Sequence, residues 1–280
     1  MHMLSKGLVR AFSMIGKYLC RFRGNHFVDM LALVISALRQ QLENMNFNMD
    51  QNGELRVLRL LKLIKPRCAF DVGANKGDWS RLMADIYPSC QIHAFEIVPS
   101  TFEELRNIAV RYPNIITNNL GLSDNSESIT IRYSDLDSST ATACPIKGMK
   151  SHELFYTKTI QGEARKAIDY IMENGINIID FLKVDVEGMD LKVLKGFEDK
   201  LKQVRIIQFE YGIFNISSHD LLSDFCDYLD TMGFVVGKIF PGYVDFFVYH
   251  FDKENFYGGN YLAVKRGEEE MIRRLSQRGA

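Results

Sequence analysis

The feature that most restricts the fold of this chain is the run Ala69-Phe70-Asp71-Val72-Gly73-Ala74-Asn75-Lys76-Gly77-Asp78-Trp79-Ser80. A short apolar stretch feeds a glycine turn, and the turn feeds a helix in which Trp79, Leu82, Met83, Ile86 and Tyr87 recur at three- and four-residue spacing. Asp78 reads as the N-cap and Pro88 as the stop. Strand, glycine turn and helix in this order open a doubly wound parallel sheet, in which ligands lie beyond the carboxyl ends of the strands.

The rest of the chain agrees with such a sheet. Apolar runs at Cys68 to Val72, Gln91 to Phe95, Ile115 to Asn118, Phe181 to Val184 and Val204 to Phe209 alternate with helical patterns. Later, Gly233 to Ile239 and Tyr261 to Lys265 look like strands with no clear helix between them, as in an antiparallel edge. The 280 residues are enough for one sizeable domain with an appendage. We expect helices over residues 1–50, ended by the Asn-rich turn segment Met45 to Gly53, then a catalytic domain over 51–268 and a tail over 269–280.

A net charge of −1 provides no field for holding a polyanion, which argues against nucleic acid as a partner. The five cysteines show no zinc-ligand spacing, so they are expected as reduced thiols in a cytoplasmic protein. The longest apolar span, Phe27 to Leu38, contains Asp29 and is too short to cross a bilayer. Ahead of Asp29 the chain carries Lys6, Arg10, Lys17, Arg21 and Arg23 and no acid, which leaves peripheral approach to an anionic membrane or a lipid-linked glycan open.

The glycine turn separates two kinds of cofactor. A dinucleotide fingerprint needs G-x-G-x-x-G so that backbone amides can approach a pyrophosphate. Here Asn75 replaces the second glycine, and Asp78 puts a carboxylate where that phosphate would lie. A phosphate-free cofactor is expected, and S-adenosylmethionine fits because its ammonium and sulfonium favour carboxylates and carbonyls. The second strand ends in Glu96, about twenty-five residues on, where an acid can accept both hydrogen bonds of a ribose diol.

Two further segments resemble the FkbM-type methyltransferases: Asn118-Asn119-Leu120-Gly121-Leu122-Ser123-Asp124, and Phe181-Leu182-Lys183-Val184-Asp185-Val186-Glu187-Gly188-Met189-Asp190 with Val193-Leu194-Lys195-Gly196. The resemblance runs from about Phe70 to about Arg266 and leaves out the first 50 residues. It implies an α/β Rossmann-like sheet of seven strands with the last antiparallel, S-adenosylmethionine as cofactor, and O-methylation of sugars or secondary-metabolite hydroxyls. By the same resemblance Asp71, Gly73, Ala74, Asn75, Gly77 and Ser80 should line the cofactor, Glu96 its ribose, Asn119 and Gly121 the adenine neighbourhood, and Asp185 the sulfonium or the acceptor.

The reaction requires in-line alignment of oxygen, methyl and sulfur, and removal of the hydroxyl proton. Asp185 and Glu187, two apart, would share a side of a continuing strand, and Glu210 closes the fifth strand toward the same crevice. These three are the candidate catalytic acids. They would suit a divalent cation too, but with no Asp/Asn ligand set evident no metal is expected. His152 and His219 are further base candidates that read better as loop residues, and His93 as structural. Residues Ser134 to Gly162 look like an inserted loop carrying Ser138, Ser139, Thr140, Thr142 and His152, a departure from the family pattern that leaves acceptor recognition open. The aromatic cluster from Phe240 to Tyr261 reads mainly as core. Competing readings are a metal-dependent glycosyltransferase using Asp185 and Glu187, and a non-catalytic scaffold of the same fold. A homo-oligomer is compatible with all of them.

Overall fold

The computed structural model describes residues 2–134, 140–147 and 156–278. The chain divides into two compact units, Met1–Met45 and Asn46–Ala280. The first contains helices α1 (His2–Leu19) and α2 (His26–Leu42), joined through a 3₁₀ turn at Cys20–Phe22. The Asn25 side chain caps α2 by accepting from the Phe27 amide. The boundary falls slightly ahead of the expected residue 50, because the Asn-rich segment is bonded into the start of α3 (Glu54–Leu60). The Asn52 amide donates to the Asn46 carbonyl at 3.1 Å and to Glu54, the first residue of α3, at 2.6 Å.

The second unit is built on an eight-stranded sheet. Its strands are β1 (Cys68–Val72), β2 (Gln91–Phe95), β3 (Ile115–Asn118), β7 (Ile179–Val184), β8 (Val204–Glu210), β9 (Phe234–Phe240), β10 (Tyr243–Phe246) and β11 (Asn260–Lys265). Across the sheet they run in the order β10-β9-β11-β8-β7-β1-β2-β3. The run from β3 through β2, β1 and β7 to β8 is parallel, and β11 lies antiparallel between β8 and β9. Seven strands with the last antiparallel are therefore present, and β10 adds an eighth at the edge by folding back on β9.

Alternation along the central strands sends side chains into two cores. Phe70, Val72, Leu182 and Val184 enter one, and Ala69, Phe181 and Ile206 the other. Helix α4 (Asp78–Ile86) comes after β1 and α5 (Pro99–Ala109) after β2. The chain leaves β1 toward β2 and β3 and returns on the other side as β7 and β8, so the strand order reverses at β1 and opens a crevice at the carboxyl ends there.

Two departures from the sequence reading concern chain outside this sheet. A second sheet is formed by β4 (Gly121–Ser123), β5 (Glu127–Tyr133) and β6 (Lys158–Lys166), in the order β4-β6-β5. The inserted loop is therefore shorter than Ser134 to Gly162, since Gly162 lies within β6. Ser138, Ser139 and His152 fall outside the described residues. The expected tail forms a helix at Glu269–Ser276 that buries Met271 and Leu275, and Arg56 donates to the carbonyls of Arg274, Leu275 and Gln277 at its end. Three apolar residues, Met271, Ile272 and Leu275, among charged ones gave too weak a period to reveal it.

Candidate active site

At the end of β1 the backbone turns through Gly73 (φ 83°), Asn75 (φ 49°) and Gly77 (φ 93°) before α4 begins. Gly77 occupies the N-cap position, one residue ahead of the expected Asp78. Glycine is demanded twice over at position 73: its φ lies in the left-handed region, and a Cβ there would stand 1.9 Å from the Asp185 carbonyl oxygen. This close approach locks the ends of β1 and β7 together, with the Asp185 amide donating to the Val72 carbonyl at 2.9 Å.

Four amides of this turn already have acceptors. Those of Gly73 and Ala74 both donate to the Phe95 carbonyl, at 3.0 and 2.9 Å, and that of Gly77 donates to the Ala74 carbonyl at 2.8 Å. The Asn75 amide donates to Glu96 Oε2 at 2.9 Å, and the Val98 amide to Glu96 Oε1 at 2.7 Å. A pyrophosphate needs such amides free. Glu96 is buried, and besides the amides of Asn75 and Val98 that of Ile97 also acts on its carboxylate, which has four lone pairs in all. Burial raises its pKa to about 7 against the pull of those amides. The side chain of Asn119, just after β3, donates to the Glu96 carbonyl at 2.9 Å, which brings it beside this acid. Gly121 stands close by in β4, where a Cβ would press on Ile97 at 3.2 Å.

Below the turn a polar row crosses the apolar face of the sheet. Asp71, Lys183 and Gln208 are register neighbours on β1, β7 and β8, and all three are buried. Asp71 accepts from the Ser80 hydroxyl at 2.7 Å, and Lys183 Nζ lies 3.8 Å from its other oxygen and 2.8 Å from Asp185. Gln208 donates to Glu54 at 2.6 Å, and Asn260 donates to the same carboxylate at 3.1 Å. Burial works against the Lys183 charge, but Asp185, Asp71 and Glu54 outweigh it and hold the ammonium above the ordinary lysine range. Asp71 is raised by burial, with Lys183 and Ser80 opposing. Asp71 and Ser80 are thus buried beneath the turn and bonded to each other. Glu54, Gln208 and Asn260 were not found from sequence, because each is a lone polar residue brought into the row by tertiary pairing alone.

At the ends of β7 and β8 the acids converge. The strand stops at Val184, and the chain turns at Glu187 (φ 54°) and Gly188 (φ 97°), so Asp185 and Glu187 do not lie on a continuing strand. The turn still brings one oxygen each of Asp185, Glu187 and Glu210 within 4.8 Å of one another, a grouping that can hold a cation. Asp190 stands behind them, buried, and accepts from the Glu210 amide at 3.3 Å. Burial, then Asp185 and Asp190, hold Glu210 well above the ordinary carboxylate range; burial, then Glu210 and Asp185, do the same to Glu187. Asp190 rises to about 8 through burial and Asp185.

The described part of the insertion reaches this turn. Thr142, fully buried, donates its hydroxyl to the Glu187 carbonyl at 2.7 Å and accepts from the Cys144 amide at 2.8 Å. The Tyr156 phenol is pushed up to about 12 by burial and by Glu187. His219 is an exposed residue after a single helical turn, and His93 is buried against the Tyr170 hydroxyl at 2.8 Å, its pKa lowered to about 4 by burial. Among the late aromatics Tyr261 is core, whereas Phe251 is exposed.

Residues 71–236 match the family model described as the methyltransferase FkbM domain. The chain belongs to the FkbM methyltransferase family. Within curated relatives, the hexuronic acid methyltransferase AglP of Haloferax volcanii is 30% identical over 165 residues, covering 58% of this chain and 63% of AglP. The methyltransferase sdnD of Sordaria araneosa is 29% identical over 155 residues, covering 46% and 60%. The 2-O-methyltransferase NoeI of Sinorhizobium fredii is 26% identical over 150 residues, covering 51% and 62%. The chain thus spans a little over three fifths of the length of AglP and NoeI and 60% of sdnD. The FkbM match begins at Asp71 and ends inside β9, so it includes both the glycine turn and the acid cluster.

Proposed function

We propose that this FkbM-family chain transfers a methyl group from S-adenosylmethionine to a hydroxyl of a sugar, a glycan or a secondary metabolite. One observation carries the reading: the glycine turn with Glu96 and the cluster Asp185, Glu187 and Glu210 sit at the carboxyl ends of neighbouring strands, one suited to a phosphate-free nucleoside and the other to proton removal. The donor set fits that cofactor. The amides of Gly73, Ala74, Asn75 and Gly77 are spent on protein acceptors, which disfavours a phosphate there, and the Glu96 carboxylate can still accept from a diol. The names of AglP and NoeI, which specify a hexuronic acid and a 2-O position, favour a sugar hydroxyl.

When bound, the cofactor supplies an electrophilic methyl group on a positively charged sulfur. Glu96 holds the ribose, with Asn119 steadying its backbone. Asp185, paired with Lys183 at 2.8 Å, faces the positive end. Glu187 takes the hydroxyl proton as the oxygen–carbon bond forms and the carbon–sulfur bond breaks, and its raised pKa makes it a stronger base than an exposed carboxylate. Glu210, held high by burial and by the charges of Asp185 and Asp190, carries a proton and orients the acceptor. The three acids act directly on these groups and no metal is assigned. A cytoplasmic setting accompanies this reading, since the thiols are all free and no helix among the described residues is long and apolar enough to cross a membrane.

The test is incubation with methyl-labelled cofactor and fractionated glycans and metabolites of the host. Label in a sugar or metabolite hydroxyl is expected. Label only in protein or nucleic acid would overturn the acceptor class, and tight binding of a sugar nucleotide with none of S-adenosylhomocysteine would favour a glycosyltransferase.

A further inference from the structure

The N-terminal unit carries a feature that methyl transfer does not use. Along α1 and the turn after it, Leu8, Phe12, Ile15 and Phe22 recur at three-, four- and seven-residue spacing, so they share one side, and all four are exposed. Tyr18 lies on the same side, its ring edge-on to that of Phe22 at 5.3 Å. The opposite side is basic: Lys6, Arg10, Lys17 and Arg21 succeed one another at four- and seven-residue spacing, and all are exposed. No Asp or Glu precedes Asp29.

The charge is what selects the partner. Residues 1–28 carry five positive charges and no negative one, while the remainder of a chain of net −1 carries −6. A helix whose polar side merely faces water mixes signs and pairs them three or four apart. The helix Glu269–Ser276 does so, with Glu270 bonded to Arg273 and Arg274, and α2 does so with Arg39 and Glu43 at 3.0 Å. Of the five N-terminal cations, only Arg23 has a carboxylate partner among the described residues, Asp29 at 3.4 Å. A second copy of the chain would cover the apolar side but would leave the one-signed side unexplained.

We propose that Lys6–Phe22 is an interfacial helix that seats the protein on an anionic lipid bilayer. It lies in the headgroup plane, with Leu8, Phe12, Ile15 and Phe22 sunk toward the acyl boundary and the lysines and arginines extended to lipid phosphates. The helix does not span the bilayer: glycines 7 and 16, Ser13 and four cations interrupt it.

The experiment is sedimentation of the full chain with vesicles of phosphatidylcholine alone and of phosphatidylcholine mixed with phosphatidylglycerol, at low and high salt. Binding to the anionic vesicles is expected to exceed binding to the neutral ones by roughly tenfold or more and to weaken with salt. The double variants Phe12→Glu/Ile15→Glu and Arg10→Gln/Lys17→Gln should each lose roughly tenfold or more of it. Both should keep the fluorescence of Trp79 unchanged, which shows that the catalytic unit is folded. Three results overturn the proposal: no sedimentation with either vesicle, equal binding to both, or a dimer in light scattering that Phe12→Glu/Ile15→Glu dissociates while vesicle binding is absent. None of them bears on methyl transfer, which is read separately.

Discussion

Carboxylates, buried in one place and half-buried in the other, appear at two ends of the same crevice in opposite circumstances. Glu96, at the end of β2, meets backbone donors: the amides of Asn75 and Val98 occupy one lone pair on each oxygen, and its pKa rises only to about 7. Glu187 and Glu210, past the ends of β7 and β8, meet mainly other carboxylates, and both are held well above the ordinary range. Backbone donors preserve a carboxylate as an acceptor, whereas crowding by like charge prepares it to take a proton. On the proposed function, one residue type thereby serves binding on one side and chemistry on the other.

The largest effect should come from the crowded side. Glu187→Ala should lower turnover by about 10²–10⁴-fold, the range for losing a general base, while leaving S-adenosylhomocysteine affinity unchanged. A parallel loss of affinity would make Glu187 part of the cofactor site and erase the contrast. Glu96→Ala should act the other way and weaken cofactor binding by about 100-fold, as expected for two charge-assisted hydrogen bonds. Trp79, the single tryptophan, lies buried beside the turn and reports this binding by fluorescence. Unchanged affinity would remove Glu96 from the ribose.

A smaller effect sharpens the same difference through pH. Because burial raises Glu96 to about 7 in the free protein, it exchanges a carboxylate for a carboxylic acid near neutrality. The ribose hydroxyls donate to the carboxylate, so binding favours the deprotonated form and weakens as pH falls through 7. Between pH 8 and pH 6 the apparent affinity for S-adenosylhomocysteine should drop by roughly tenfold, and Glu96→Gln should abolish this slope. A flat profile in the unaltered protein would mean that the amides of Asn75 and Val98 keep Glu96 charged throughout.

How much of the molecule is legible in its sequence divides along the same line. The β1 turn and Glu96 were legible because they are local: glycines at positive φ and an acid at a strand's end leave their mark within a few residues. The strands at Cys68–Val72, Gln91–Phe95 and Ile115–Asn118 were legible to the residue for the same reason, being short apolar runs with sharp polar ends. The row of Asp71, Lys183, Gln208 and Glu54 was not, since it exists only when three strands and α3 come into register. Asp185 and Glu187 were grouped for the wrong geometric reason. They meet through a left-handed turn at Glu187, not through strand alternation, and that conformation is unusual enough in a non-glycine residue to escape a pattern reading.

The smallest expected effect decides what the crowded acids are for. Asp185, Glu187 and Glu210 bring their oxygens close enough to ligate a divalent ion, and a cation there would also relieve their mutual repulsion. One feature of the free protein already offsets part of it: the Lys183 ammonium lies 2.8 Å from Asp185. With part of that charge already compensated by Lys183, the proposed reading leaves Glu187 to act on the acceptor hydroxyl directly, without an ion. Prolonged dialysis against a chelator should therefore leave turnover unchanged. If turnover instead collapses and magnesium or manganese restores it, the three carboxylates hold a cation, and the hydroxyl is activated by that ion in place of Glu187.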